Sequence, residues 1–303
     1  MQVDATLRSF FNHCQDPDNA KITVLYAYSN EQHAKQYEQL TQDWEKYSQV
    51  IFCKERHFRE DLLNILNPFS KLSLNNLQYK LLLFTDRRIA KRLHHFVAIP
   101  RSDAVVLFLV DDTIFTSEFL LKEISTALAT NSDALGFSLR LGKNISHSYM
   151  LRRDEIQPIF NEVGSTLLKF RWTDGDMDFG YPLEVSSSAY RLVDVISSLT
   201  SVSFSNPNYL EGGMNLNKKR FLTSRPNLLC YPISKAFCNP INLVQNVSLE
   251  NRRAEQVQYS TDELAALFDQ GKRISIASFH HFIPNSCHVE ANLIFDQAKV
   301  IYE

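Results

Sequence analysis

Two adjacent carboxylates stand where a sheet of the predicted type would bind a ligand. The run AVVLFLV, residues 104–110, is the most apolar in the chain, and it ends abruptly in Asp111 and Asp112. Such a run is typical of a central strand that is covered on both faces. Because ligands of open α/β sheets bind beyond the carboxyl ends of the strands, we expect both side chains to face a ligand.

This pair of carboxylates suggests a divalent cation. Mg²⁺ and Mn²⁺ prefer oxygen ligands, and one or two carboxylates together with substrate phosphates complete their shell. The alternative is that a strand-end aspartate caps the next helix, which explains one aspartate better than two.

A second acidic stretch, TDGDMDFGYP at residues 173–182, does not fit a calcium site. The EF-hand pattern requires Gly and Glu where this chain has Phe179 and Val185. A polar turn is the simpler interpretation. The alternative is an acceptor-binding loop in which Trp172 stacks on a sugar.

The elements that must position these residues alternate between strands and helices in the first half. The sequence predicts strands over 21–28, 50–55, 104–110 and 134–141, and helices over 31–48, 58–67 and 117–130. Residues 79–86 fit either type of element. This alternation predicts βαβ units, and therefore an α/β fold with a mainly parallel central sheet flanked by helices.

The second half is less regular. We predict a strand over 182–191 and helices over 192–199, 210–224 and 261–271. Ser260 and Glu263 fit a capping box at the start of the last helix, and Gly271 suits its end. No Pro, Gly or Ser linker separates the halves, so we expect one continuous body with an irregular second half.

Composition excludes several classes of protein. The 303 residues carry a formal net charge of −2, which argues against a dedicated nucleic-acid partner. The glycine patterns of dinucleotide enzymes and P-loop NTPases are missing. We find no apolar run long enough for a transmembrane segment and no signal peptide. The five cysteines lack CxxC spacing, which predicts reduced thiols and a cytoplasmic location.

Three segments together resemble a known family. KITVLYAYSN, VIFCKE and VVLFLVDDTIF are similar to the nucleotide-binding half of GT-A glycosyltransferases, close to glycosyltransferase family 2, and the resemblance covers roughly residues 20–225. It implies a Rossmann-like GT-A fold. The implied parts are an N-terminal extension (1–19), a nucleotide-sugar-binding half (20–115) and an acceptor-binding half (116–303).

The resemblance also assigns residues on the donor side. Asp111 and Asp112 correspond to the acidic motif that holds Mn²⁺ or Mg²⁺ on the sugar-nucleotide diphosphate, although Thr113 stands where a third acidic residue often occurs. We favour Asp112 as the metal ligand and place Asp111 near the ribose or sugar.

Further assignments follow from the same resemblance, each beside a simpler interpretation. Ser29 and Asn30 would face the nucleoside, Glu55 would lie near the base, and His281 would be a further metal ligand. The simpler interpretations are that Asn30 caps a helix, that Glu55 is solvent-exposed and that His281 is structural. The basic segments 87–95, 218–220 and 251–253 are expected to be solvated, although arginines near a diphosphate would be useful.

Inverting sugar transfer requires a carboxylate that accepts the proton of the acceptor hydroxyl. By its position in NPNYLEGGMN, Glu211 resembles the base of family 2 enzymes. Stabilisation by the helix dipole is the alternative explanation for this carboxylate. Gly212 and Gly213 suggest that backbone lies close to a bound molecule.

The predicted function is therefore metal-dependent, inverting transfer of a sugar from a nucleoside-diphosphate sugar to a saccharide or lipid-linked acceptor. A nucleotidyltransferase is the nearest chemical alternative, but the Gly-rich basic loop typical of that class is missing after the first strand. A non-catalytic module that binds a sugar nucleotide or a glycan is the alternative from another class.

Overall fold

The structure is a computed structural model that describes residues 1–66, 104–241 and 259–298. The predictions for residues 79–95 and 251–253 lie outside these residues. The described α-helices are α1 (Gln2–His13), α2 (Glu31–Asp43), α3 (Phe58–Leu66), α4 (Leu121–Thr130), α5 (Leu192–Ser201), α6 (Pro207–Leu216) and α7 (Thr261–Asp269).

Short strands account for most of the remaining regular structure. They are β1 (Ile22–Tyr26), β2 (Val50–Lys54), β3 (Val105–Leu107), β4 (Thr113–Phe115), β5 (Ala134–Ser138), β6 (His147–Ser148), β7 (Arg153–Asp154), β8 (Asn161–Val163), β9 (Leu167–Arg171), β10 (Ser188–Arg191), β11 (Asn227–Cys230), β12 (Ala236–Cys238), β13 (Lys272–Ile274) and β14 (Phe295–Gln297).

The α/β class is confirmed, but the expectation of a mainly parallel central sheet needs correction. Six strands form a sheet in the order β3-β10-β5-β11-β9-β8. Strands β5 and β11 run parallel, whereas the other four pairings are antiparallel. The parallel pair β1 and β2 forms a separate sheet in the described part of the chain. Alternating apolar runs predict strands but not their directions, so the mixed pairing was not visible in the sequence.

Helices α2, α6 and α7 begin after residues whose side chains cap them. The side chain of Asn30 accepts a hydrogen bond from the His33 amide (2.8 Å), which confirms that Asn30 caps α2. The capping box of Ser260 and Glu263 is present at α7. Gly271, just after α7, has a φ of 75°, as a glycine at this position allows.

Helices α4 and α6 differ from their predicted bounds. Helix α4 begins at Leu121 rather than residue 117, because the Asp16 carboxylate accepts hydrogen bonds from the amides of Leu121 (2.7 Å) and Lys122 (2.9 Å). Helix α6 begins at Pro207, after the cap Asn206. It therefore starts one turn earlier than predicted and ends at Leu216.

The predicted strand over 182–191 is shortened to β10. The Glu184 carboxylate accepts hydrogen bonds from the backbone amides of Ser186 and Ser187, which turns the chain before the strand begins. The acidic stretch over 173–182 contains a 3-10 helix, Trp172–Asp174, followed by a turn. Trp172 is buried and its indole donates to the Arg225 carbonyl (2.7 Å), so it is not free to stack on a sugar.

Buried side chains of the six-stranded sheet pack against helices in two hydrophobic clusters. Gly136 in β5 lies directly under the ring of Tyr190, where an added Cβ would be 2.6 Å from a ring carbon.

Helix α1 falls within the predicted N-terminal extension, and it contributes the fully buried Ala5 and the buried Phe10 to the core. All five cysteines are free thiols, as their spacing predicted.

Candidate functional site

The segments that follow β1 and β3 line one cavity of about 450 Å³. Ser29 comes shortly after β1, and Asp111 comes shortly after β3. Helices α2 and α7 supply other walls, which include Tyr37 and Phe268. Ser29 and Asp111, which the sequence assigned to one site, therefore lie on the same cavity.

The two aspartates have different surroundings. Asp111 is exposed on the cavity wall. The surrounding protein atoms nevertheless remove water from its carboxyl, and this desolvation raises its pKa. Asp112 is half-buried, and its Oδ1 atom is buried without a hydrogen-bond partner among the described residues. Burial, and then the neighbouring charge of Asp111, raise the pKa of Asp112 to about 7. An orphaned carboxylate oxygen is costly unless a ligand or a proton satisfies it.

This donor set fits a divalent cation that is only partly held by protein. No group of three or more His, Cys, Asp or Glu side chains that could hold a metal ion occurs in residues 1–66, 104–241 and 259–298. Mg²⁺ and Mn²⁺ are commonly bound by one or two carboxylates, with substrate phosphates completing the shell. Of the two carboxylates, Asp111 lines the cavity, whereas Asp112 does not line it and has the unpartnered Oδ1.

Asn30 and Glu55 are not among the cavity-lining residues. The side-chain oxygen of Asn30 is engaged by the His33 amide, so this residue has the capping role. Glu55 is half-buried after β2, and burial followed by the charge of Asp61 raises its pKa.

His281 is not brought to the aspartates. Its amide donates to the Thr116 carbonyl (2.9 Å), and its ring lies 4.0 Å from that of His280. Asp112 immediately precedes β4, and Thr116 immediately follows it. At about 3.3 Å per residue, they are roughly 13 Å apart along the strand.

Glu211 projects from α6 into a polar interior. Its Oε2 accepts a hydrogen bond from the Val185 amide (2.9 Å). Burial, and then the charge of Glu184, raise the pKa of Glu211 to about 7, while Arg140 opposes this increase. A carboxyl of this kind changes its protonation near neutral pH, which is what a general base needs.

The glycines after Glu211 have different explanations from the one expected. A Cβ added to Gly213 would lie 3.1 Å from Val202, so this glycine allows α6 to pack closely against the end of α5. A Cβ added to Gly212 would meet nothing within 4 Å. Neither observation requires a bound molecule.

Arg140 and Glu184 are site residues that the sequence analysis missed. Arg140 is buried, with its Nε 3.7 Å from Glu184 Oε1 and its Nη2 3.7 Å from Asp178 Oδ1. The signal in the sequence was Arg140 itself, a charged residue within the apolar run 134–141. Because buried charges need partners, this position indicates a buried ion pair.

The surroundings of Asp112 and Glu211 are connected through Cys238. Burial, followed by the charge of Asp112, raises the pKa of the Cys238 thiol, and Arg140 and Glu184 also act on it. These two residues also act on Glu211. Arg140, Glu184 and Glu211 therefore share one polar region, and Cys238 adjoins both this region and Asp112.

Comparison with known proteins gave one informative relative. The chain is 27% identical over 300 aligned residues to a protein of Dictyostelium discoideum named bifunctional glycosyltransferase pgtA. The alignment includes 90% of this chain but 34% of that protein, so the chain spans about a third of its length. No protein-family model matches the sequence, and no solved structure matches it significantly.

Within the part of the chain that the structure describes, no helix has both the length and the apolar character needed to cross a bilayer.

Proposed function

We propose that this chain is a glycosyltransferase that moves a sugar from a nucleoside-diphosphate sugar to a saccharide or lipid-linked acceptor, with inversion at the anomeric carbon. Asp112 and Asp111 would hold Mn²⁺ or Mg²⁺, and Glu211 would be the base. The proposal extends the similarity to a protein named a bifunctional glycosyltransferase.

One observation carries the proposal. Ser29 and Asp111 are far apart in the sequence, yet both line the same cavity of about 450 Å³. This volume is in the range of small-molecule sites, and the position beyond the strands is where α/β folds bind ligands. The neighbouring Asp112 is not among the cavity-lining residues, but its Oδ1 is buried without a hydrogen-bond partner among the described residues.

The roles of the donor-side residues follow from their chemistry. A divalent cation bound by Asp112 and Asp111 would supply positive charge beside the departing nucleoside diphosphate. The Ser29 hydroxyl can hydrogen-bond to the nucleoside. Leu264, Ala265 and Phe268 of α7 form an apolar wall of the cavity.

On the acceptor side, Glu211 would accept the proton of the attacking hydroxyl. Its carboxylate is held in place by the Val185 amide, which donates to Oε2, and by a hydrogen bond with the side chain of Tyr181. A base with a pKa near 7 is ionised in part of the population at neutral pH and releases its proton readily afterwards.

The binding half of the proposal is tested by thermal unfolding with UDP or GDP. We expect a nucleoside diphosphate at about 100 times its dissociation constant to raise Tm by roughly 5 °C, and only when Mn²⁺ or Mg²⁺ is present. Asp112→Asn should abolish this increase, whereas Asp18→Asn, which changes an exposed aspartate, should keep it. An increase that survives Asp112→Asn would remove Asp112 from the metal site.

Turnover separates an enzyme from a binding module. With Mn²⁺ present and no acceptor, a transferase should slowly release the nucleoside diphosphate from a sugar nucleotide. Binding that needs no metal and gives no release would instead favour the non-catalytic module.

A further inference from the structure

Arg140 is the central cation of the polar region beside Glu211. It lies just after β5 and is 3% exposed, so it cannot reach a ligand in the cavity. Its Nη1 donates to Ser186 Oγ (3.5 Å), while its Nε and Nη2 face Glu184 and Asp178 at 3.7 Å. The guanidinium therefore contacts both the acidic turn before β10 and the loop that carries Asp178.

The turn Glu184–Ser187 connects Arg140 to Glu211. The Glu184 carboxylate accepts hydrogen bonds from the Ser186 hydroxyl (2.7 Å) and the Ser187 amide (3.1 Å). The amide of Val185, inside the same turn, donates to Glu211 Oε2 (2.9 Å). The orientation of this amide depends on the turn, and the turn is held by its ion pair with Arg140.

Arg140 compensates the negative charges around Glu211. Among the described residues, the ionisable groups that act on Glu211 are Glu184, Arg140, Tyr181 and Tyr190. Arg140 is the one cation of this set, and Glu184 is a second carboxylate. Without the guanidinium, two buried carboxylates would face each other with no positive charge between them, which is strongly unfavourable.

We propose that Arg140 is a positioning residue for Glu211: it fixes the turn whose Val185 amide orients the Glu211 carboxylate, and it supplies the positive charge that favours the ionised form of this carboxylate. The inference rests on the proposed role of Glu211 as base. It assigns Arg140 no contact with substrate.

The test is a titration of Glu211 that needs no substrate. The carboxyl carbons of ¹³C-glutamate-labelled protein are followed by NMR between pH 4 and 10, and Glu211→Gln identifies the signal. In Arg140→Gln the midpoint should rise by about one pH unit or more, because the nearest cation is lost. Arg171→Gln, which removes an arginine from an exposed ion pair, should leave the midpoint unchanged.

Kinetics provide the second measurement. In Arg140→Gln, the acid limb of the pH–rate profile should move to higher pH together with the NMR midpoint. Arg140→Lys keeps the charge but cannot make the same set of contacts. We expect its midpoint to stay near that of the wild type while kcat falls about tenfold to a hundredfold, with KM for the donor unchanged.

Two outcomes would overturn the inference: a midpoint that does not move in folded Arg140→Gln, or an Arg140→Lys variant with wild-type kcat. If Arg140→Gln does not fold, Arg140→Lys alone decides, because only a positioning role predicts lost kcat with an unchanged midpoint. Absence of transfer by the wild-type protein would refute the proposed function instead, and the NMR titration would still report whether Arg140 controls the charge of Glu211.

Discussion

At the scale of single residues, Glu211 is a carboxyl whose surroundings suit proton transfer. Burial and Glu184 raise its pKa to about 7, and the ionised form is the one that can act as a base. We therefore expect kcat/KM for sugar transfer to fall about tenfold for each pH unit below 7, and Glu211→Gln to lower kcat by about 10² to 10⁴-fold.

Rate profiles of wild-type protein and the Glu211→Gln variant between pH 5 and 9 measure this. Glu38→Gln, at an exposed position of α2, is the matched control and should behave as the wild type. If the residual activity of Glu211→Gln keeps the same acid limb, another group is responsible for it.

The same carboxyl also makes stability depend on pH. The folded pKa of Glu211, about 7, lies above its ordinary value of 4.5, so folding favours its protonated form. The stability contributed by this group is complete below pH 4.5 and is lost as the pH rises through 7. Because Gln stays neutral, Glu211→Gln should gain about 3 kcal/mol over the wild type between pH 4.5 and pH 8.

Urea unfolding at pH 5 and pH 8 tests this expectation. The difference in unfolding free energy between Glu211→Gln and the wild type should be clearly larger at pH 8. An equal difference at both pH values would show that the carboxyl is not perturbed.

At the scale of elements, α7 depends on its cap. Ser260 Oγ accepts a hydrogen bond from the Glu263 amide (3.2 Å), and the Glu263 carboxylate accepts one from the Ser260 amide (2.7 Å). We expect Ser260→Ala to lower the free energy of unfolding by about 1 kcal/mol, because an amide at the helix start loses its partner.

Equilibrium denaturation compares this variant with Ser125→Ala, in the interior of α4. Ser125 donates to the Lys122 carbonyl, and Ala is the better helix former, so its replacement should change stability by less than about 0.5 kcal/mol. Equal losses in both variants would argue against a special role for the cap.

At the scale of the whole molecule, Asp4 joins distant parts of the chain. It is fully buried, with its Oδ2 2.8 Å from Arg8 Nε and 3.9 Å from Arg273 Nε. The Trp44 indole donates to its Oδ1 (3.4 Å). Helix α1 is thereby tied to the end of α2 and to β13.

We expect Asp4→Asn to lower the free energy of unfolding by about 3 kcal/mol, because two buried arginines lose a negative partner. Chemical denaturation is the measurement, with the exposed Asp18→Asn as control. A loss no larger than that of the control would mean that Arg8 and Arg273 find other partners at no cost.

The candidate site was predictable in part. Asp111 and Ser29, which both line the cavity, stood out in the sequence because polar residues directly after apolar strands are a local pattern. Arg140 and Glu184 were missed because their roles depend on partners about 40 residues apart in the chain, which no local pattern shows. His281 was assigned by resemblance, and its distance from Asp112 becomes evident only when β4 is in place.

By itself, the sequence determined the features that depend on chain neighbours. These include the caps at Asn30 and Ser260, the left-handed glycine at 271 and the short strands around apolar runs. Only the tertiary structure decided strand direction, the capping of α4 by Asp16 and the charges around Glu211. The reason is physical: caps and periodicity act over a few residues, whereas strand pairing and buried charge are set by contacts between distant segments.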